Sequence, residues 1–227
     1  ARAALRDAAG LIEPLPSLLA QADPLLPFAS DGLKLVTVLP ELAGIAGAKT
    51  YLILAQNEDE LRATGGFISG AGLLTVENGR IVDLNFQDGY SVDQGSFDGY
   101  DWPPAPLVEL MDLQYFLFRD ANFWPDFPTS AQNAMNLYSY GQSIPPLDGA
   151  IAIDQRFLEL LLRGTGSVQV EGTDIIINSN NIIENIQTAW SISEGQDARE
   201  WNAGRKDFLS DFAKEIRGKV EQDYGSL

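Results

Sequence analysis

The sequence contains no cysteine and no histidine among its 227 residues. Disulfide bonds, thiolate zinc sites, cysteine nucleophiles and every catalytic triad or metal cage that needs imidazole are therefore excluded. Any chemistry has to use carboxylates, arginine, lysine, hydroxyl groups or a bound ion. The lack of cysteine fits an oxidising compartment, in which a stray thiol is a liability.

Positive charge and long apolar runs are also scarce. The chain has 15 basic against 32 acidic residues and a formal net charge of -17. It therefore lacks the excess of positive charge that is typical of nucleic-acid-binding proteins. No run reaches the roughly 18 apolar residues of a membrane span, and the start (ARAALR) does not have the form of a signal peptide. The chain begins without Met, so a membrane anchor upstream stays compatible with the sequence.

Apolar residues make up 45% of the chain, enough to form a sizeable core. The Ala- and Leu-rich residues 1–46 are interrupted by prolines and predict an N-terminal helical segment that leads into the main domain. An anchor upstream would place this segment close to a membrane. Residues 47–227 predict an α/β sandwich with a central mixed sheet, because β-prone runs alternate with helical patterns. The predicted strands lie near residues 50–56, 67–76, 80–86, 113–118 and 148–154.

The remaining elements are shorter. Residues 88–106 are rich in Asp, Gly, Ser, Tyr and Pro, which predicts a long surface loop. Short strands are predicted near 167–170 and 175–178. Helices are predicted near residues 129–140, 155–163, 181–190 and 199–220.

Arginine is the only basic residue type between Thr50 and Ala198. Its planar guanidinium grips phosphate or carboxylate through two parallel hydrogen bonds, whereas lysine offers a point charge. Arg62 precedes Gly65 and Gly66, which allow the backbone to approach a ligand closely. The structural alternative is that Arg62 pairs with a neighbouring acid and that the glycines only make a turn.

Arg119 and Asp120 follow the predicted strand 113–118, and strand ends are frequent ligand positions in α/β proteins. Asp120 together with Asp126 could hold Mg²⁺ through oxygen while the arginines bind phosphate, an arrangement that needs no histidine. The alternative is an Arg–Asp pair that only tethers a loop. Arg199 and Arg205, at the start of the last predicted helix, are either further phosphate ligands or solvated surface residues.

Three segments of the sequence resemble a bacterial family known as domain of unknown function 4012. They are residues 60–68 (ELRATGGFI), 119–128 (RDANFWPDFP) and 147–154 (LDGAIAID). The resemblance extends from about Thr50 to the end of the chain. It implies a membrane-anchored envelope protein that lies outside the cytoplasm.

A second resemblance is to the LytR-CpsA-Psr family, extracytoplasmic phosphotransferases that move glycopolymers from polyprenyl-pyrophosphate carriers to the cell wall. The family's Arg-Ser-Asp-Thr motif is similar to residues 62–64, although this chain has Ala63-Thr64 without the Asp. Its Pro-Arg-Asp-Thr motif is similar to residues 118–121. Its late arginine-rich segment is similar to residues 199–209.

These resemblances imply catalytic roles for Arg62, Arg119 and Asp120 and phosphate contacts for Arg62, Arg119, Arg199 and Arg205. The expected function is binding of a polyprenyl-pyrophosphate-linked glycan, with transfer of its glycophosphate to a wall acceptor as the enzymatic form. The alternative is a non-catalytic envelope scaffold that uses the same fold for contacts with envelope proteins.

Overall fold

The computed structural model describes residues 26–93, 99–140, 143–170, 175–190 and 211–219. These residues form an α/β structure around a four-stranded mixed sheet. The strands are β1 (Lys49–Asn57), β2 (Phe67–Glu77), β3 (Arg80–Asp88) and β4 (Gly149–Ile153), and they lie side by side in the order β3-β2-β1-β4. β1 is antiparallel to β2 and parallel to β4, while β2 and β3 form an antiparallel hairpin.

The helices are α1 (Leu26–Leu42), α2 (Gly89–Val92), α3 (Ala105–Met111), α4 (Phe127–Tyr140), α5 (Gln155–Thr165) and α6 (Ile182–Trp190). Residues 211–219 are also helical. A small second sheet pairs β5 (Val168–Gln169) with β6 (Ile176–Ile177) in antiparallel orientation.

The side chains of β1 alternate between the two faces of the sheet. Leu52 and Leu54 pack on one face in a core that includes Leu137 of α4. Ile53 lies on the opposite face, in a cavity also lined by α5 and the 211–219 helix. Because successive strand residues point to opposite faces, this central strand is buried from both sides.

Asp148 fixes the parallel strand β4 against β1. Its carboxylate accepts hydrogen bonds from the Lys49 ammonium and the Thr50 backbone N–H, both at 2.8 Å. These two bonds hold the pKa of Asp148 below its ordinary value. The segment 147–154 thus brings the carboxyl end of β4 next to that of β1.

The predicted α/β sandwich with a central mixed sheet is confirmed, and four of its five predicted strands are present. The predicted strand at 113–118 is wrong. Phe116, Leu117 and Phe118 are all buried, and the chain turns into the 3₁₀ helix Phe118–Asp120. The Phe118 N–H, which a strand would give to its neighbour, is donated to the carboxylate of Asp93 at 3.1 Å.

The prediction of a surface loop from residue 88 is wrong at its beginning. Asp88 is buried and its carboxylate caps α2 by accepting a hydrogen bond from the Tyr90 N–H at 2.8 Å. Val92 and Asp93 are buried as well. The division of the chain at residue 46 stays a prediction, although α1 lies within the predicted N-terminal helical segment.

Candidate functional site

The loop after β1 is held in place by a small network of polar side chains. The Thr64 hydroxyl accepts hydrogen bonds from Gln56 Nε2 at 2.6 Å and from Asn122 Nδ2 at 3.0 Å. Asn122 is fully buried and also donates to the Gly66 carbonyl at 2.8 Å. The two sequence motifs at 60–68 and 119–128 are therefore joined directly at the end of β1.

The two glycines of this loop are needed for different reasons. Gly65 has a φ of 132°, a conformation that residues with a side chain rarely adopt. A Cβ on Gly66 would lie 2.3 Å from the Asn57 carbonyl oxygen, far inside van der Waals contact. Gly65 makes the turn that the structural alternative expected, and Gly66 allows the loop to pack closely against β1.

Arg62 and Arg119 are carried on neighbouring aromatic rings. The Arg62 guanidinium lies 5.2 Å from the centre of the Phe67 ring, and that of Arg119 lies 4.6 Å from the Tyr90 ring. The Phe67 and Tyr90 rings are themselves 6.0 Å apart. Stacking on a ring face holds a guanidinium flat and leaves its N–H edge directed outward.

Arg62 also pairs with an acid, as the structural alternative expected. Its Nη2 lies 2.7 Å from Glu60 Oε1, and Nη1 donates to the Leu61 carbonyl at 3.2 Å. The Arg62 side chain remains 22% exposed, so this ion pair is accessible to solvent and to a ligand. An ion pair that is partly exposed to solvent in this way contributes little to the stability of the fold.

Asp120 is a buried carboxyl group whose pKa is influenced by both arginines. It is 6% exposed, and burial raises its pKa. Arg119 and Arg62 oppose this rise, while Asp93 and Glu60 add to it. Arg62, Arg119 and Asp120, which the sequence singled out, therefore lie in one electrostatically coupled cluster, here named the arginine cluster.

Asp93 is a second buried carboxyl group beside this cluster, and sequence reasoning missed it. Its Oδ1 accepts hydrogen bonds from the Phe118 N–H and, at 3.3 Å, from the Tyr100 hydroxyl. Burial raises the pKa of Asp93, and the nearby Arg119 lowers it. Within the described residues, Asp93 Oδ2 is buried without a hydrogen-bond partner, which is costly unless water or a ligand supplies one.

Asp126 caps a helix. Its Oδ2 accepts hydrogen bonds from the Thr129 N–H at 2.9 Å and the Thr129 hydroxyl at 2.6 Å, and these bonds lower the pKa of Asp126. No group of three or more acidic side chains in the described ranges could hold a metal ion. The Mg²⁺ site of Asp120 and Asp126 stays a prediction, and no step below depends on it.

Arg199 and Arg205 lie outside the described residues. Sequence reasoning included Thr64 and Asn122 only as parts of the two motifs and gave them no role, and it missed Tyr90. All three residues position the arginine cluster. A hydroxyl, an amide and an aromatic ring carry no charge signal, and Thr64 meets Asn122 only because the fold brings their loops together. Among the described residues, no helix is long and apolar enough to cross a membrane.

The fold and this site define an α/β domain with an arginine and carboxylate cluster at the end of its central strand. The chain belongs to the family described as Protein of unknown function (DUF4012), whose model matches residues 46–189. No curated protein matches the sequence.

Two solved structures from Listeria are similar to this chain. The Lin1025 protein from Listeria innocua matches with a TM-score of 0.43 and 15% sequence identity, over 76% of this chain and 65% of that one. A fragment, residues 52–321, of Lmo1026 from Listeria monocytogenes matches with a TM-score of 0.41 and 14% identity, over 76% of this chain and 66% of that one. The match thus spans less than two thirds of either protein.

Proposed function

We propose that this chain is an extracytoplasmic, membrane-anchored envelope protein that binds the pyrophosphate of a polyprenyl-linked glycan. The observation that carries this proposal is that Arg62 and Arg119 lie on two aromatic rings whose centres are 6.0 Å apart. A pyrophosphate supplies several acceptor oxygens, so it can bind both guanidinium groups at once. At Arg62 it would compete with Glu60, which already pairs with Nη2.

Electrostatics would guide the carrier to this position. The chain carries a net charge of -17, so an anionic ligand is repelled by most of the surface. The arginine cluster is where a phosphate can find two cations held in place by rings. Binding should therefore weaken as salt screens this attraction.

The enzymatic form of the proposal is transfer of the glycophosphate to a wall acceptor. An acceptor hydroxyl oxygen forms the new bond to the sugar-linked phosphorus, and the bond from that phosphorus to the bridging oxygen breaks, releasing polyprenyl phosphate. The hydroxyl proton passes to Asp120, whose raised pKa makes the carboxylate a better base than an ordinary aspartate. Arg199 and Arg205 are proposed as additional phosphate contacts.

An apolar cavity offers room for part of the lipid. It has a volume of about 140 Å³ and lies between the sheet, α5 and the 211–219 helix. Its walls include Leu84, Phe86, Phe157, Phe212 and Ile216. A hydrocarbon chain gains free energy in such a cavity in proportion to the apolar surface removed from water.

The proposal is tested by calorimetric titration of the chain with farnesyl pyrophosphate, using farnesol as the phosphate-free control. Arg119→Gln removes one guanidinium, and we expect its affinity to fall at least about tenfold, equivalent to about 1.4 kcal/mol. Arg163→Gln, on the exposed end of α5, is the matched control and should bind like wild type. Equal affinity of Arg119→Gln and wild type would refute the phosphate role.

A second candidate function, the envelope scaffold, is favoured by the surface around α3. This helix has no buried residue, and its Leu110 is 82% exposed. Trp102, just before it, is 74% exposed. Contiguous exposed apolar side chains mark protein contact surfaces. If farnesyl pyrophosphate does not bind, the scaffold becomes the preferred function, and Leu110→Ser should then abolish association with envelope proteins.

A further inference from the structure

A second cavity, which shares Ala55, Ile153 and Leu158 with the apolar cavity, lies where the parallel strands β1 and β4 end. Its volume is about 210 Å³, and Asn57, Asp154 and Gln155 follow or end the two strands within its wall. In α/β proteins, ligands bind in the crevice outside the carboxyl ends of parallel strands. The volume is below the roughly 300–1,000 Å³ of drug-sized pockets, which fits a single ring.

The amide side chains in this cavity are oriented by hydrogen bonds to one another and to Asp59. Asn57 Oδ1 accepts from Gln155 Nε2 at 2.8 Å and from the Asp59 N–H at 3.1 Å. Gln187 Nε2 donates to Asp59 Oδ2 at 3.2 Å. Each bond fixes one end of an amide and so determines which end remains for a ligand.

The remaining polar atoms include both donors and acceptors. In the part of the chain that the structure describes, the Nδ2 group of Asn57 and the Oε1 atoms of Gln155 and Gln187 make no side-chain hydrogen bond. Gln155 is only 6% exposed and lines the cavity, and its Oε1 is not one of the buried polar atoms without a partner, so this oxygen opens towards the cavity. An amide oxygen in this position accepts a hydrogen bond from water or from a ligand hydroxyl.

The charges of the wall restrict the class of ligand. Asp59 and Asp154 line the cavity, and no described arginine or lysine does. Burial and the neighbouring Asp154 raise the pKa of Glu58, and Arg156 lowers it, so carboxyl groups outnumber basic groups near this edge. A phosphate or carboxylate ligand would therefore be repelled.

We infer that this cavity binds an uncharged, hydroxyl-rich ring, the chemistry of a single sugar residue. A hydroxyl donates to a glutamine oxygen and accepts from the Asn57 amide at the same time, which matches the atoms left over. Ala55, Ile153, Leu158 and Ile186 form an apolar wall against which the C–H face of the ring can pack. This site uses other residues than the arginine cluster and does not depend on phosphate binding there.

The test is an NMR titration of the isotope-labelled chain with methyl glucoside, a neutral sugar without phosphate. At about 10 mM probe, ten times a Kd of about 1 mM, the side-chain amide signals of Asn57, Gln155 and Gln187 should shift and saturate. Gln187→Leu should weaken binding at least fivefold. Gln187 is exposed, so its replacement should be tolerated, and Gln132→Leu on the exposed side of α4 is the matched control.

The outcomes separate the ligand classes. Absence of shifts at the three amides in the wild-type chain would overturn the inference, whatever the variants do. Larger shifts of these amides with methylamine or inorganic phosphate than with methyl glucoside would also overturn it, in favour of a cation or anion site. Since methyl glucoside carries no phosphate, its failure would leave the farnesyl pyrophosphate test unaffected, and the reverse also holds.

Discussion

The arginine cluster and the cavity lined by Asn57, Gln155 and Gln187 lie beside the same end of β1 but have opposite character. Gln56 belongs to both, because its Nε2 donates to Thr64 in the loop that carries Arg62 and the residue also lines the cavity. The cluster holds two arginines, whereas no described basic side chain lines the cavity. The proposed anion site and the proposed neutral site would thus differ in charge although they share one strand end.

The largest expected effect comes from Gly66, which lies between the two sites. Its added Cβ would meet the Asn57 carbonyl at 2.3 Å, and its own carbonyl is fixed by Asn122. We expect Gly66→Ala to lower the free energy of unfolding by about 3 kcal/mol, the upper range for overpacking, and to weaken both farnesyl pyrophosphate and methyl glucoside binding. Urea denaturation measures the loss of unfolding free energy, and the two titrations measure the loss of binding.

The matched glycine is Gly164 in α5, where a Cβ would meet no atom within 4 Å. Gly164→Ala should stabilise the chain by roughly 0.5–1 kcal/mol, because alanine is the better helix former. If Gly66→Ala were as stable as wild type, the loop would be free to move away from β1. The loop would then not form a rigid boundary between the two sites.

A smaller effect should distinguish the arginine cluster by its pH dependence. Burial raises the pKa of Asp120 above its ordinary value of 3.8, so the folded state holds this proton more tightly than the unfolded state. The stabilising contribution is complete below 3.8 and is lost as pH rises through the folded pKa. Asp120→Asn cannot ionise, so its stability relative to wild type should increase between about pH 4 and about pH 7.

Urea denaturation of both proteins at the two pH values checks this expectation. In Asp120→Asn, Arg62 and Arg119 lose a competing carboxylate, so farnesyl pyrophosphate should bind at least as tightly while transfer is lost. If the stability of Asp120→Asn relative to wild type instead fell towards neutral pH, the arginines would outweigh burial in setting the pKa of Asp120. Asp120 would then be a tether of its loop, as in the structural alternative.

The hairpin and the central strand could be predicted because their signals are local. β-prone runs flank Asn78 and Gly79, whose φ values of 51° and 75° make the tight turn. Residues 113–118 carry a similar apolar signal, yet they have no strand as a neighbour. Composition shows that a segment is buried, but only the whole fold shows that its Phe118 N–H is satisfied by Asp93.

The two candidate sites also differ in how far they could be predicted from the sequence. Arg62, Arg119 and Asp120 were recognisable because basic residues are rare in this chain and stand in specific motifs. Asn57, Gln155 and Gln187 were not recognised, because amides are common on protein surfaces and carry no charge. Their meeting depends on the parallel pairing of β1 with β4, which no local pattern predicts.

The smallest expected effect concerns Asp126, which should affect stability without affecting either site. The bonds from Thr129 lower its pKa below the ordinary value of 3.8, so its stabilising contribution is present above that value and is lost as pH falls through the folded pKa. Asp126→Ala should therefore have a lower Tm than wild type at neutral pH, and the gap should narrow in acid. Thermal unfolding followed by circular dichroism measures the gap, and Thr129→Val, which removes one of the two donors, should show part of it. Both variants should bind farnesyl pyrophosphate like wild type, and a loss of affinity in Asp126→Ala alone would place this carboxylate in the ligand site as the sequence predicted.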